Sequence, residues 1–314
     1  MIQNLPAFMH DALGLNEAQL QRLIARSPYT YKIYTIPKKS GGVRTIAQPA
    51  RETKFIQHWL IENIFSQLPV HDCASAYKIG ASIKANAAAH SQNSYISKFD
   101  FSAFFSSITQ ADLVNHFNRH LKDTLSTGDI ANIARLACIR PKDGSGLCLS
   151  IGAPSSPILS NSIMFEFDCL IHQWCKSKEL IYTRYADDLT FSTNIKDICS
   201  EIEPLLRITL SQLDYPSLRL NDNKTIHLSK KNQRRITGVV INNEGQLSTG
   251  RSRKRAISSL IHKFTIDVLS TNEVYKLQGL LGFAKDIEPG FIASMKRKYG
   301  VEVVDAIFLV RKPH

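Results

Sequence analysis

No run of about 18 or more consecutive apolar residues occurs in the 314-residue chain, so no segment reads as a bilayer-spanning helix. The opening stretch MIQNLPAFMHDALGL lacks the basic region and sustained apolar run of a secretory signal. Six cysteines (Cys73, Cys138, Cys148, Cys169, Cys175, Cys199) include no C-x-x-C pair and no histidine at zinc-finger spacing. That argues against a disulfide framework or a structural zinc and fits core thiols in a reducing cytoplasm. Internal repeats, low-complexity tracts and a long linker are also missing. Acidic residues are the scarcer charge: 27 Asp and Glu stand against 39 Lys and Arg, a net +12. The excess is silent on fold, but it favours a polyanionic partner such as nucleic acid or an anionic membrane, and the lack of a spanning segment weakens the second option.

What is present is ordinary globular material, 43% apolar and 21% charged, long enough for a large core and two joined domains. Asn16 can cap a helix presenting Leu20, Leu23 and Ile24. Tyr31–Ile36 and Val43–Ala47 read as a β-hairpin around a Pro-Lys-Lys-Ser-Gly-Gly turn. A helix with Phe55, Ile56, Trp59, Leu60 and Ile64 on its core face follows, and ends before Pro69. Tyr95–Phe101 has strand composition, and Thr109-x-x-Asp112 reads as a capping box ahead of Leu113, Phe117 and Leu121. Pro157 suits the start of a helix whose Leu159, Ile163, Phe167, Leu170 and Trp174 form one stripe. Leu180–Ser192 reads as two strand arms around Ala186-Asp187-Asp188, and beyond about residue 250 the pattern is helical throughout. The expectation is an α+β body followed by a basic helical module.

Carboxylates interrupt this pattern where stability would not place them. Asp100 ends an apolar strand, and Asp187 and Asp188 sit side by side in a strand-like run, where like charges repel. Asp is common in turns, so ordinary turn residues are one reading. The other is a divalent cation held between Asp100 and the pair. Two such ions about 4 Å apart can activate an attacking hydroxyl and stabilise a leaving pyrophosphate.

Tyr185-Ala186-Asp187-Asp188 resembles the Y-x-D-D box of reverse transcriptases, in the bacterial branch of that family. Five further boxes follow the family's order. Phe99-Asp100-Phe101-Ser102-Ala103-Phe104-Phe105 resembles the first catalytic box, and Gly152-Ala153-Pro154-Ser155-Ser156-Pro157 the G-x-P-x-S-P loop. Lys38, Lys39 and Arg44 lie in a fingers-like hairpin, Lys224-Thr225 matches the Lys-bearing box, and Ile236-Thr237-Gly238 begins the primer-contacting box. Asn86-Ala87-Ala88-Ala89-His90 fits the N-A-x-x-H signature of retron reverse transcriptases, and Ile236-Thr237-Gly238 is similar to their V-T-G signature. The family usually has Gln where this chain has Ile151, a departure that bears on fidelity, rate or template preference.

The resemblance implies a right-hand polymerase: a fingers region over 1–95, a palm over 96–245 built of antiparallel sheet and helices, and a helical thumb over 246–314. It implies two Mg²⁺ held by Asp100, Asp187, Asp188 and the backbone carbonyl of Phe101. Arg44, Phe105, Lys224 and Gly152 are its candidates for the nucleotide, Phe105 crowding the sugar 2′-position and Lys224 meeting the pyrophosphate. Core packing for Phe105 and solvated surface charge for Arg44 and Lys224 remain the alternatives. Asn86, His90, Thr237, Gly238, Arg253, Lys254 and Arg255 are candidates for nucleic acid, although His90 can equally be a satisfied core histidine. Over residues 249–314 twelve Lys and Arg face six Asp and Glu, half the chain's excess in about a fifth of its length. A solvated face explains that, and so does a grip on duplex phosphates.

The implied function is to copy a cognate structured noncoding RNA into single-stranded DNA from dNTPs, primed at a guanosine 2′-hydroxyl. The product is branched RNA–DNA, and an effector or toxin partner in phage defence is a family-based expectation. The alternatives are a reverse transcriptase of another bacterial lineage, and a nucleic-acid scaffold that restrains an effector without needing catalysis.

Overall fold

The structure, a computed structural model, describes residues 9–10, 14–38 and 41–311. Lys39 and Lys312 lie outside the described residues. Asn16 caps α1 (Glu17–Arg26) in a capping box with Gln19, which turns Leu20 and Ile24 inward. β1 (Tyr31–Pro37) and β2 (Val43–Pro49) pair antiparallel, with Ile36 opposite Arg44 and Tyr34 opposite Ile46. α2 (Arg51–Asn63) buries Thr53, Ile56, Gln57 and Leu60. Phe55, expected on that face, is instead 60% exposed, because two polar residues occupy inward positions and rotate the buried stripe away from it.

α3 (Ile83–Ala89) starts at Ser82, whose side chain accepts from Ala85 N. β3 (Tyr95–Asp100) leads into the short α4 (Phe104–Ser107). Thr109 and Asp112 form the expected capping box of α5 (Gln110–Leu121), and α6 (Thr127–Ala137) is capped by Ser126. The stripe expected from Leu159 to Trp174 breaks in two at Met164 (φ −84°, ψ 3°), between α7 (Ser156–Ile163) and α8 (Phe165–Ser177). The break resets the helical phase. Leu159, Ile163 and Phe167 stay buried, Leu170 turns outward at 48% exposure, and Ile171 and Cys175 take the inner positions.

β4 (Ile181–Tyr185) and β5 (Asp188–Thr193) are the two arms around Ala186-Asp187. After α9 (Cys199–Gln212) comes β6 (Ile226–Leu228), and the four strands form a sheet in the order β4-β5-β3-β6. β7 (Arg234–Ile236), β8 (Val239–Ile241) and β9 (Leu247–Ser248) make a small antiparallel sheet. α10 (Arg251–Thr265), α11 (Thr271–Ile287), α12 (Pro289–Tyr299) and α13 (Val301–Leu309) follow, sharing a core of Ile257, Ile261, Leu277, Leu281, Val304 and Ile307. Among the described residues no helix is long and apolar enough to cross a membrane.

The chain divides into two compact units. The first comprises Met1–Ile79, Lys98–Leu189 and Asp197–Ile226, and holds the hairpin and all three candidate Asp residues. The second comprises Gly80–Ser97, Thr190–Lys196 and His227–His314. In it Ala87 of α3 packs with Ile96, Ile236, Val239, Ile241 and Ile287.

Candidate active site

β3 and β5 are interior strands, and β5 is buried along nearly its whole length. Side chains on such strands are held more rigidly than side chains on loops, which suits groups that must keep a fixed geometry. β4 turns into β5 through Ala186 and Asp187 alone. Ala186 has φ 56°, the positive value that the first central position of a type II′ hairpin turn requires and that glycine usually supplies. A buried alanine in this region is strained by about 1–2 kcal/mol, so its surroundings must hold it there.

Arg184 is what holds it. Its guanidinium is fully buried and donates to the carbonyl of Ala186 at 3.2 Å, to Asn161 Oδ1 at 3.1 Å and in a fork to Asp168. The fork runs from Nε to Oδ1 at 2.9 Å and from Nη2 to Oδ2 at 2.6 Å, while Tyr182 OH donates to the same carboxylate at 2.8 Å. Asn161 donates onward to the carbonyl of Ala76 at 2.7 Å. Across the turn, Phe101 N–H donates to the carbonyl of Asp187 at 3.1 Å, which ties the end of β3 to the Asp pair. Sequence reading missed Arg184, Asp168 and Asn161. The available signal was an Asp on the buried face of α8 and an Arg two residues before the turn.

The carboxylates lie within electrostatic reach of one another. Burial raises Asp187 above the usual carboxylate range, and the charge of Asp100 adds to this, with Lys224 and Arg44 pulling the other way. Burial likewise pushes Asp188 up to about 6; Lys98 opposes the rise and the charges of Asp187 and Asp100 add to it. Lys224 Nζ donates to Asp100 Oδ1 at 2.7 Å. Partial burial disfavours the Lys224 ammonium, but the bond and charge of Asp100 outweigh that and hold its pKa above the ordinary value.

Such a set offers only hard oxygen donors, which fits Mg²⁺. Among the described residues no three His, Cys, Asp or Glu side chains enclose a metal position by themselves. Mg²⁺ needs no such enclosure, because it keeps several waters and takes substrate phosphates beside one or two carboxylates.

Arg44 and Ile46 project from the same face of β2, two residues apart. Ile151 accepts from Ala47 N at 2.8 Å and so stitches the G-x-P-x-S-P loop to this strand. Gly152 has φ 118°, and a Cβ there would come within 2.9 Å of both the Ala47 carbonyl oxygen and Ile46 Cγ2. Only glycine lets the loop and hairpin approach this closely. Ile151 itself is 38% exposed. Arg44 and Lys38 are exposed on the hairpin. Phe105 is partly buried, its ring 5.4 Å from Phe104 and edge-on to it, so packing and an open edge coexist.

In the second unit the N-A-x-x-H box lies inside. Asn86 is buried, and fully buried His90 bonds through Nδ1 to Ser192 Oγ at 2.7 Å. Both side chains thus lie in the interior of this unit. Asn93 extends the network, donating to Ser192 Oγ at 2.8 Å and accepting from Asn194 at 3.2 Å. The buried guanidinium of Arg234 donates to the carbonyls of Asn93 and Asn242. Thr237 donates to the carbonyl of Ile83 at 3.3 Å. Arg253 donates to the carbonyl of Gly238 and lies over the Phe283 ring at 4.4 Å; Lys254 pairs with Glu288. Of the four basic residues opening α10, Arg251 and Arg255 are exposed, while Arg253 and Lys254 are partly buried.

Burial pushes the His90 imidazole down to about 3. The unfolded chain takes up a proton below about pH 6.5 that the folded chain refuses, so stability falls as pH drops from about 6.5 towards 3. Hydrogen exchange over residues 83–97 at pH 7 and pH 5 should show this loss in the wild type. His90→Gln, which can keep a bond to Ser192, should show a smaller one.

The reverse transcriptase (RNA-dependent DNA polymerase) family profile matches residues 36–241. Three curated relatives from Escherichia coli align over nearly the whole chain. The retron Ec83 reverse transcriptase is 40% identical, covering 91% of this chain and 92% of its own length. The retron Ec73 reverse transcriptase is 32% identical (89% and 90%), and the retron Ec86 reverse transcriptase is 30% identical (93% and 89%). With the catalytic boxes in family order and the acidic turn opening the interior strand β5, the chain belongs to the retron-type reverse transcriptases, RNA-directed DNA polymerases of right-hand fold.

Proposed function

We propose that the chain copies a cognate structured noncoding RNA into single-stranded DNA, starting from the 2′-hydroxyl of a guanosine and leaving a branched RNA–DNA product. The observation that carries this reading is the 40% identity, over 91% of the chain, to a retron reverse transcriptase. The enzyme is a metal-dependent polymerase, and in this reading two Mg²⁺ lie on Asp100 and Asp187, with Asp188 and the Phe101 carbonyl contributing. The ions, when bound, lower the pKa of the attacking hydroxyl and neutralise the leaving pyrophosphate.

The chain's own residues position the reaction. Arg44 meets triphosphate oxygens with the planar fork of its guanidinium. Gly152 keeps the loop low against β2, leaving room for the nucleotide, and Phe105 borders the sugar. Lys224 meets the pyrophosphate as it departs. Thr237 and Gly238 border the primer strand, and Arg255 meets duplex phosphates. Arg253 and Lys254 serve the same surface by fixing α10 to its neighbours. Residues 1–95 act as fingers, 96–245 as palm and 246–314 as thumb. The protein works in the cytoplasm, in keeping with its free cysteines, beside an effector or toxin in phage defence.

Purified protein mixed with the noncoding RNA encoded beside it and with dNTPs should give DNA that resists separation from RNA until a 2′,5′-debranching enzyme is added. Extension of any annealed primer without use of that RNA contradicts the retron-specific reading. RNA binding with no DNA synthesis at all points instead to a scaffold.

A further inference from the structure

We propose that Lys224 is a built-in counter-ion of the metal site: its ammonium holds Asp100 in the metal-free enzyme, competes with the divalent cation for that carboxylate, and is released towards the nucleotide when the cation binds. This rests on the reading of Asp100 as a metal ligand and goes one step beyond it, giving one lysine two successive stations.

The geometry separates a fixed anion from a hinged cation. The side chain of Asp100 is 6% exposed and that of Lys224 is 57% exposed, yet Nζ and Oδ1 stand 2.7 Å apart. The backbone beneath Lys224 is sewn to the catalytic strand. Asn221 N–H donates to the carbonyl of Asp100 at 2.7 Å, Ser102 N–H donates to the carbonyl of Arg219 at 2.9 Å, and Phe101 bridges Leu220. Arg207 pairs with Asp222 at 2.5 Å, at the start of the single 3₁₀ turn Asp222–Lys224. The segment is therefore anchored, and only the flexible four-carbon stem has to move. Arg44 and Lys98 act on Asp187 and Asp188 through space, whereas Lys224 touches its carboxylate.

An ammonium and a divalent cation on the same carboxylate repel one another, so each weakens the hold of Asp100 on the other. Losing the cation's grip on Asp100 costs the metal-free state little, because most of the lysine is already in solvent. The swing leaves an unpaired ammonium beside the metal, where a triphosphate brings fresh negative charge.

The test is Mn²⁺ binding to the full chain without nucleotide, read from the electron paramagnetic resonance signal of free Mn²⁺. Lys224→Met should bind Mn²⁺ about three- to tenfold more tightly than wild type. Lys224→Arg, which keeps a cation on Asp100, should stay within about twofold of wild type. Affinity in Lys224→Met equal to or weaker than wild type overturns the proposal, as does equal tightening by both variants. Asp100→Asn separates the two levels. If it leaves Mn²⁺ affinity unchanged, the metal-ligand reading fails and the counter-ion with it. If it weakens binding while Lys224→Met tightens nothing, only the counter-ion fails. A readout on the wild type avoids any question of variant folding: acetic anhydride should label the Lys224 amine faster with Mg²⁺ than without, and equal rates overturn the proposal.

Discussion

Asp100→Asn and Asp187→Asn should each lower single-turnover primer extension by roughly 10³-fold or more, with RNA binding unchanged. Each substitution removes a charged oxygen donor from a site that has few, and a loss of several kcal/mol in metal-held transition-state charge corresponds to that factor. Asp188→Asn should lose less, because Asp188 begins β5 while Asp187 occupies the turn beside Asp100. None of the three should unfold the protein. Asn is the same size as Asp, and Asp187 and Asp188 are held above the usual carboxylate range in the folded chain. A carboxylate raised on folding weakens the native state at neutral pH, so the amides at these two positions should leave Tm level or slightly higher. An inactive variant with a lowered Tm would trace the effect to folding and contradict this reading.

Arg184→Met should act in the opposite manner, through stability first. It leaves the Asp168 carboxylate buried with Tyr182 as its remaining named donor. Breaking a buried pair by removing one partner costs about 3–5 kcal/mol. For a unit of this size that is a fall in Tm of roughly 6–20 °C. The double change Asp168→Leu with Arg184→Met should recover much of the loss, because a buried pair replaced by apolar residues of similar volume is often neutral. Activity should stay depressed in the double variant, since the Ala186 carbonyl still lacks the donor that holds the turn carrying Asp187. Full recovery of activity along with stability would show that Arg184 serves packing alone.

The parts legible in the sequence were those whose signal is local. Asn16 and the Thr109–Asp112 box act within four residues, the hairpin strands are continuous β-branched and aromatic runs, and the acidic boxes interrupt apolar patterns at once. What escaped depends on partners distant in the chain. Arg184 and Asp168 are sixteen residues apart, and each alone reads as a surface charge. His90 meets Ser192 across 102 residues, so its motif could be recognised without revealing that it points inward. The stripe through Trp174 assumed an unbroken helix, and one non-helical residue, Met164, rotated everything after it. Phe55 followed the same logic, with polar Thr53 and Gln57 taking inward places that pattern reading assigns to apolar side chains.

The acidic turn opening the interior strand β5, and not the basic surface alone, gives this protein its function. This claim is tested most directly by expressing the chain with its adjacent noncoding RNA and isolating DNA from wild type and from the double variant Asp187→Asn with Asp188→Asn. The expected result is RNA-linked single-stranded DNA in the wild type and none in the variant, with equal amounts of both proteins bound to the RNA. Persistent DNA synthesis in the double variant would contradict the claim.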